Sequence, residues 1–407
     1  MHSNSKKIHN KNIFAKTTFK KESSFFMKKF LSVISLAFAC MFLCCGFTFP
    51  AEQQVLSQDK SAIIIDANTG EVVYEKNSQE KLQVASIVKL MTTLLTIEDI
   101  EAGKVSLDDM LTASENAAGM GGSQVFIDAY STYSVKDMLK SVIVASANDA
   151  SVALSEFLCG SEEEFVKRMN KRAKELGLDN TIYANSTGLP MPEEYSCAKD
   201  VATLLMEVSK HQIYHDYCMI WMDELVHPSG RKTELVNTNK LVRYYKGCTG
   251  GKTGFTDEAG YCLSCCAEKG NLRFVAVSLG AKDAKARFEN VTKLFNYAFA
   301  NFENKHVADK SKQVCTLQVQ MGKTNAQVFF AEDYFALSKK GENQSCEVIT
   351  ELDKNVKAPL KAGSKVGKAK ILKNGKLVKE IDLVIDQDIQ KLGYKDTVKD
   401  IISHWYA

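Results

Sequence analysis

Ser86 and Lys89 stand three residues apart in Ser86-Ile-Val-Lys89, and two short motifs follow far along the chain, Ser146-Ala-Asn148 and Lys252-Thr253-Gly254. The run from Ser86 to Leu95 has apolar residues at helical spacing, so the hydroxyl and the amine at i and i+3 share a helix face. That pairing makes a serine nucleophile with a lysine base and needs no histidine. A serine in the first turn also sits at the positive end of the helix dipole, which favours developing negative charge. The obstacle is protonation, because a free lysine titrates at about 10.4. Burial and a second nearby cation each lower that value. Lys252 is the natural second cation, and Ser146 is placed to relay protons between Lys89 and a leaving group. Asn148 is expected to hold Lys89 and a substrate amide by hydrogen bonds.

No motif suffices alone. S-x-x-K recurs at Ser57–Lys60, Ser78–Lys81, Ser196–Lys199 and Ser229–Lys232, and S-x-N recurs at Ser114–Asn116, whereas K-T-G occurs once. An isolated S-x-x-K reads as a capped surface helix, and a K-T-G as a turn. Order, wide spacing and local setting carry the signal. The apolar run Val142–Ala145 buries the second motif. Lys252-Thr253-Gly254-Phe255 reads as an edge strand lining a cleft. There the lysine and hydroxyl would grip a substrate carboxylate, and Gly254 would let the substrate backbone approach. The backbone N–H groups of Ser86 and Phe255 are the expected oxyanion hole.

The elements that must position these groups are legible in outline. Ser61–Asp66 and Glu71–Glu75 around Asn68-Thr-Gly70 predict a β-hairpin. Gly260–Ala267 and Leu272–Gly280 predict two further strands. Between these blocks the chain is helical: residues 134–158 keep helical spacing, and Glu162–Leu176 is a charged amphipathic helix stopping at Gly177. Arg287–Phe299 predicts a closing helix. Strands at both ends of a helical middle argue for an α+β domain with one mostly antiparallel sheet. From about Val307 short strands follow (Gln313–Val319, Gln327–Phe330, Glu347–Glu351, Lys368–Leu372 and Leu377–Val384), which predict a small all-β domain. Val398, Ile401, Ile402 and Trp405 then mark one face of a helix with lysines opposite. That face suits interfacial membrane attachment and equally suits docking on its own domain.

The bulk composition excludes some classes. The chain has 407 residues, 45% of them hydrophobic, and a formal net charge of +3. That charge is too small and too scattered for nucleic acid, and the length accommodates two domains. Met27-Lys-Lys29 before the apolar run Phe30–Gly46 reads as a secretory signal peptide, with an uncleaved membrane anchor as the alternative. Twelve cysteines are present, of which Cys40, Cys44 and Cys45 fall in that leader. No cysteine or histidine set has zinc spacing. Buried free thiols are expected, and a Cys248–Cys262 bridge stays open.

The motifs and their surroundings resemble the low-molecular-weight penicillin-binding proteins, the serine-type D-alanyl-D-alanine carboxypeptidases of peptidase family S11. The residues that carry the resemblance are Val84-Ala-Ser-Ile-Val-Lys-Leu-Met-Thr-Thr93, Gly121-Gly-Ser-Gln124, Val144-Ala-Ser-Ala-Asn-Asp-Ala150, Asn237-Thr-Asn239 and Lys252-Thr-Gly-Phe-Thr-Asp-Glu-Ala-Gly-Tyr261. The chain departs from the family at Val88 for threonine, Ala147 for glycine and Gly251 for a larger residue. The resemblance implies a β-lactamase/DD-peptidase-like fold, an antiparallel sheet with flanking helices and a helical subdomain, followed by the small β domain. The expected organisation is a leader over 1–50, a peptidase domain over 51–304, a β domain over 307–388 and an amphipathic helix over 390–407. Carried over, Ser86, Lys89 and Ser146 are catalytic, while Asn148, Lys252, Thr253, Gly254 and Phe255 bind substrate. No metal or organic cofactor is implied. The implied partners are peptidoglycan stem peptides and β-lactam antibiotics, and the implied location is extracytoplasmic, at the outer face of the cytoplasmic membrane or in the cell wall. Two rivals are a class A-like β-lactamase, which would need a glutamate such as one in Ser161–Glu164, and a non-catalytic wall-binding homologue.

Overall fold

A computed structural model describes residues 57–342 and 345–394. The apolar run Ser61–Asp66 forms β1, pairs with β2 (Val72–Lys76) across the Asn68–Gly70 turn, and is buried on both faces. Its side chains alternate between two cores, as a strand's period of two requires. Ile63 and Ile65 face the helical middle of the chain, while Ala62 and Ile64 face the closing helix.

The 3-10 turn Ala85–Val88 leads into α1 (Lys89–Glu101), and the small hairpin β3 (Met110–Thr112) and β4 (Thr132–Ser134) brackets α2 (Glu115–Ala118). The helical run expected over 134–158 is in fact two helices, α3 (Val135–Val144) and α4 (Asn148–Cys159). Between them Ser146 takes a left-handed φ of 63°. Apolar periodicity continues through this break, which is why spacing alone could not reveal it. Next come α5 (Glu162–Glu175), α6 (Ala198–Val208) and α7 (Gln212–Cys218). A two-stranded hairpin, β5 (Met222–Val226) with β6 (Lys232–Val236), and the short α8 (Leu241–Tyr244) follow. The β5–β6 hairpin escaped the sequence reading because its outward positions mix Met222, Glu224 and Lys232, which blurs the alternation.

Strands β7 (Cys248–Thr256), β8 (Gly260–Lys269) and β9 (Leu272–Ala281) complete an antiparallel sheet of order β2-β1-β9-β8-β7. The K-T-G strand is therefore at the sheet edge, as expected. Helix α9 (Ala284–Asn301) lays Val291, Leu294, Phe295 and Ala298 on one sheet face, and the helical middle covers the other. The nine described cysteines are free thiols, six of them buried. Cys262 lies opposite Gly254, so it cannot reach Cys248, whose sulfur instead stands 3.6 Å from that of Cys265.

At Phe302 the helix passes directly into β10 (Phe302–Ala308). The remaining strands are β11 (Cys315–Leu317), β12 (Ala326–Phe330), β13 (Tyr334–Lys339), β14 (Cys346–Leu352), β15 (Lys365–Lys373) and β16 (Lys376–Ile385). β10 pairs with β13, and the others form a sheet of order β11-β12-β16-β15-β14 around Val328, Val366, Ala369 and Leu383. Strands β10 and β13 went unread; in β10 the run Glu303-Asn-Lys-His306 hides any alternation. Lys373 ties this sheet to the first hairpin, donating to Glu71 at 2.6 and 2.8 Å and to the Leu337 carbonyl at 2.6 Å. Lys391 bridges Gly322 in extended pairing. Residues 395–407, which carry the expected amphipathic face, and the leader over 1–50 lie outside the described residues. Among the described residues no helix is long and apolar enough to cross a membrane.

Candidate active site

Ser86 lies in the 3-10 turn, and α1 starts only at Lys89, so the serine precedes the α-helix instead of occupying its first turn. Ala85 before it has a left-handed φ of 50°, a conformation that non-glycine residues adopt only where packing holds them. The result is a hydroxyl at the head of a buried helix. Lys89 Nζ donates to Ser86 Oγ at 2.9 Å and to the Thr187 carbonyl at 2.6 Å.

Lys89 has 0% exposure. Burial brings its amine down to about 7, against the opposing pull of the Glu194 and Asp149 carboxylates. Desolvation disfavours the ammonium, and the two buried amines repel each other. Burial first, then Lys89 and Arg287, hold Lys252 well below its ordinary value.

Lys252 Nζ donates to Ser146 Oγ at 2.6 Å and to its neighbour's carbonyl, Thr253 O, at 3.0 Å. The first and third motifs also meet through backbone. A Cβ on Gly254 would stand 2.4 Å from the Val84 carbonyl and 3.2 Å from the Ser86 nitrogen. Gly254 is thus required first of all so that β7 can lie against the serine turn. Thr253 Oγ1 donates to Thr238 Oγ1 at 2.7 Å, which anchors the K-T-G hydroxyl to the Asn237–Asn239 segment. Phe255 is 47% exposed and stacks on Tyr261, with ring centroids 4.2 Å apart.

Asn148 behaves differently from the expectation. Its Nδ2 donates to the Gly121 carbonyl at 2.7 Å, not toward Lys89, and its backbone N–H reaches Ser123 O at 2.7 Å. Its Oδ1 is buried without a hydrogen-bond partner, an amide acceptor of the kind that a ligand donor would satisfy.

Several functional neighbours were missed. Asn185-Ser-Thr-Gly188 is a turn sequence without periodicity, so it read as plain loop. Its Asn185 Oδ1 accepts from Thr187 N, Thr187 Oγ1 and Gly188 N at 2.6 to 2.9 Å, which presents the Thr187 carbonyl to Lys89. Gly188 has φ of 77°, and a Cβ there would meet the Ala85 carbonyl at 2.0 Å. Glu162 Oε1 holds this loop through Ser186 N and Oγ at 2.8 and 2.7 Å. Asp149 accepts from Val125 N, Ile127 N and Ala150 N, which fixes the Gly121 loop beside Asn148. Far from this cleft, His306, Asp309 and Asp333 bring potential metal-ligating atoms within 4.8 Å. Their carboxylates are already paired with Lys312 and Lys310.

A family model described as D-alanyl-D-alanine carboxypeptidase matches residues 49–283, which hold Ser86, Lys89, Ser146, Asn148 and Lys252–Phe255. The chain belongs to this family. A second model, the C-terminal domain of penicillin-binding protein 5, matches residues 302–391. The chain is 40% identical over 354 residues to D-alanyl-D-alanine carboxypeptidase DacF of Bacillus subtilis, an alignment covering 86% of this chain and 91% of the relative. Penicillin-binding protein 5 of Haemophilus influenzae superposes with a TM-score of 0.68 at 30% identity, covering 82% of this chain and 98% of that one. Penicillin-binding protein D2 of Listeria monocytogenes, solved in its ampicillin-bound form, superposes with a TM-score of 0.54 at 31% identity. It covers 60% of this chain and 98% of that one. The α+β peptidase fold with an appended β domain is therefore shared, and the carboxypeptidase family is a family of serine hydrolases.

Proposed function

We propose that this carboxypeptidase removes the terminal D-alanine from peptidoglycan stem pentapeptides through an acyl-enzyme on Ser86. Lys89 as free amine takes the Ser86 proton while Oγ attacks the carbonyl between the two D-alanines. The oxyanion forms between the N–H groups of Ser86 and Phe255. Ser146, held by Lys252, relays that proton from Lys89 to the leaving amine, so D-alanine departs and Lys89 is again a free amine. Water then attacks the ester, with Lys89 again as base, and frees the shortened peptide. Lys252 and Thr253 hold the terminal carboxylate, and Asn148 Oδ1 accepts from a substrate amide. Penicillin would acylate the same serine, by analogy with the ampicillin-bound Listeria protein.

The observation that carries this reading is the 2.9 Å contact between Ser86 Oγ and a wholly buried Lys89 amine. The peptidase domain is assigned to 51–304 and the β domain, a spacer or binding module, to 307–388. Action is placed outside the cytoplasmic membrane, where the substrate is. Mass spectrometry of a D-Ala-D-Ala pentapeptide should show loss of one alanine with the wild type and none with Ser86→Ala. Fluorescent penicillin should label the wild type alone. A labelled Ser86→Ala protein would overturn the assignment, and an adduct that turns over rapidly would favour a β-lactamase.

A further inference from the structure

Arg287 is unabsorbed by the chemistry above. It lies in the first turns of α9, half-buried, and donates through Nη1 to the Gly254 carbonyl at 3.0 Å and more weakly to Cys262 O at 3.5 Å. Its Nε is buried without a partner, and among the described residues no carboxylate pairs with it. Its guanidinium is flanked by the Tyr261 and Phe288 rings, 5.4 and 4.9 Å from their centroids. A cation taken partly out of water without a counter-ion is costly, so its place against one carbonyl calls for a reason. That carbonyl belongs to the peptide unit whose nitrogen is Phe255 N. In a trans peptide the C=O and N–H point in opposite directions. A cation on Gly254 O therefore fixes the tilt of the unit and polarises it, strengthening the N–H on the far side as a donor.

We propose that Arg287 is a positioning residue for the oxyanion hole, acting through the Gly254–Phe255 peptide without touching substrate. The inference rests on the reading of Ser86 as nucleophile and Phe255 N–H as oxyanion donor. The group it serves bears negative charge only as the tetrahedral intermediate forms, so its effect is on kcat and on acylation rate, not on ground-state binding.

Three variants of the full chain test this: Arg287→Lys, Arg287→Gln and Arg287→Ala, with the pentapeptide as substrate and fluorescent penicillin as acylating probe. Loss of an entire oxyanion donor lowers kcat by roughly 10²–10³-fold, so loss of its support should lower kcat and acylation rate by about tenfold or more. KM should change little, and Arg287→Lys should recover part of the rate. Added guanidinium should restore Arg287→Ala at concentrations that do not alter the wild type. A rise in KM with kcat preserved would mean that Arg287 grips the substrate carboxylate, and the positioning role would fall. Unchanged rates in a variant that melts like the wild type would also sink it. Inactivity of the wild type, or activity of Ser86→Ala, would instead strike the underlying reading.

Discussion

The buried amine of Lys89 predicts the pH dependence of acylation. An ordinary lysine is a free base in about one molecule in 3000 at pH 7 when its value is 10.5, and in about half when that value is about 7. Burial thus raises the competent population roughly 1600-fold, equivalent to about 4 kcal/mol of barrier at neutral pH. The sign follows from the direction of the shift. The active form is deprotonated, so rate is lost as pH falls through about 7 and is nearly level above it. At about pH 5 only about one molecule in 100 has the free amine, so second-order acylation by fluorescent penicillin should fall about 50-fold from its rate at pH 7. At about pH 9 it should at most double. Glu194 pulls the Lys89 value upward, so Glu194→Gln should move the limb to lower pH. Stopped-flow acylation across this range reads both effects. A limb at about pH 10, or a Glu194→Gln limb displaced upward, would refute the claim that burial makes the base.

Three further outcomes follow from particular contacts. Lys89→Met should abolish turnover yet raise the melting temperature. The folded value lies below the unfolded one, so the penalty is full below about pH 7 and fades toward pH 10.5. Set against an orphaned Thr187 carbonyl, the net gain at pH 7 should be about 1–3 kcal/mol, and calorimetry at neutral and high pH should show it shrinking. Gly188→Ala should destabilise by about 3 kcal/mol or more, since a left-handed alanine costs roughly 1–2 kcal/mol before the clash with Ala85 is counted; a melt close to wild type would contradict this. Lys373→Met removes the Glu71 clamp, worth roughly 1–3 kcal/mol. Limited proteolysis should cut faster between the sheets while pentapeptide turnover stays unchanged.

Strands β1, β8 and β9 were legible because they are largely apolar on both faces and bounded by Asn68–Gly70 and Glu268–Asn271, and α5 was legible from its charge pattern and Gly177. The pairings of Ser86 with Lys89 and of Ser146 with Lys252 were legible because the three motifs stand in that order and at that spacing. What stayed hidden depends on contact across the chain. The break at Ser146 leaves no gap in apolar spacing. The Thr187 carbonyl is a backbone atom and has no residue signature, and Arg287 looks like any lysine-flanked surface arginine until β7 is placed beside it. The assumed partners shifted for the same reason. Asn148 gives its Nδ2 to the carbonyl of Gly121, in a loop fixed by Asp149, and its Oδ1, the atom that could accept from Lys89, has no partner.

Helix α9 joins two parts of the molecule in a mechanical sense. It begins beside Gly254 through Arg287 and ends by becoming β10, with no loop to absorb strain. Its 18 residues make a rod of about 27 Å. Torque on the C-terminal sheet is therefore delivered to the rim of the catalytic groove by a stiff lever, so the orientation of one end is bound to that of the other.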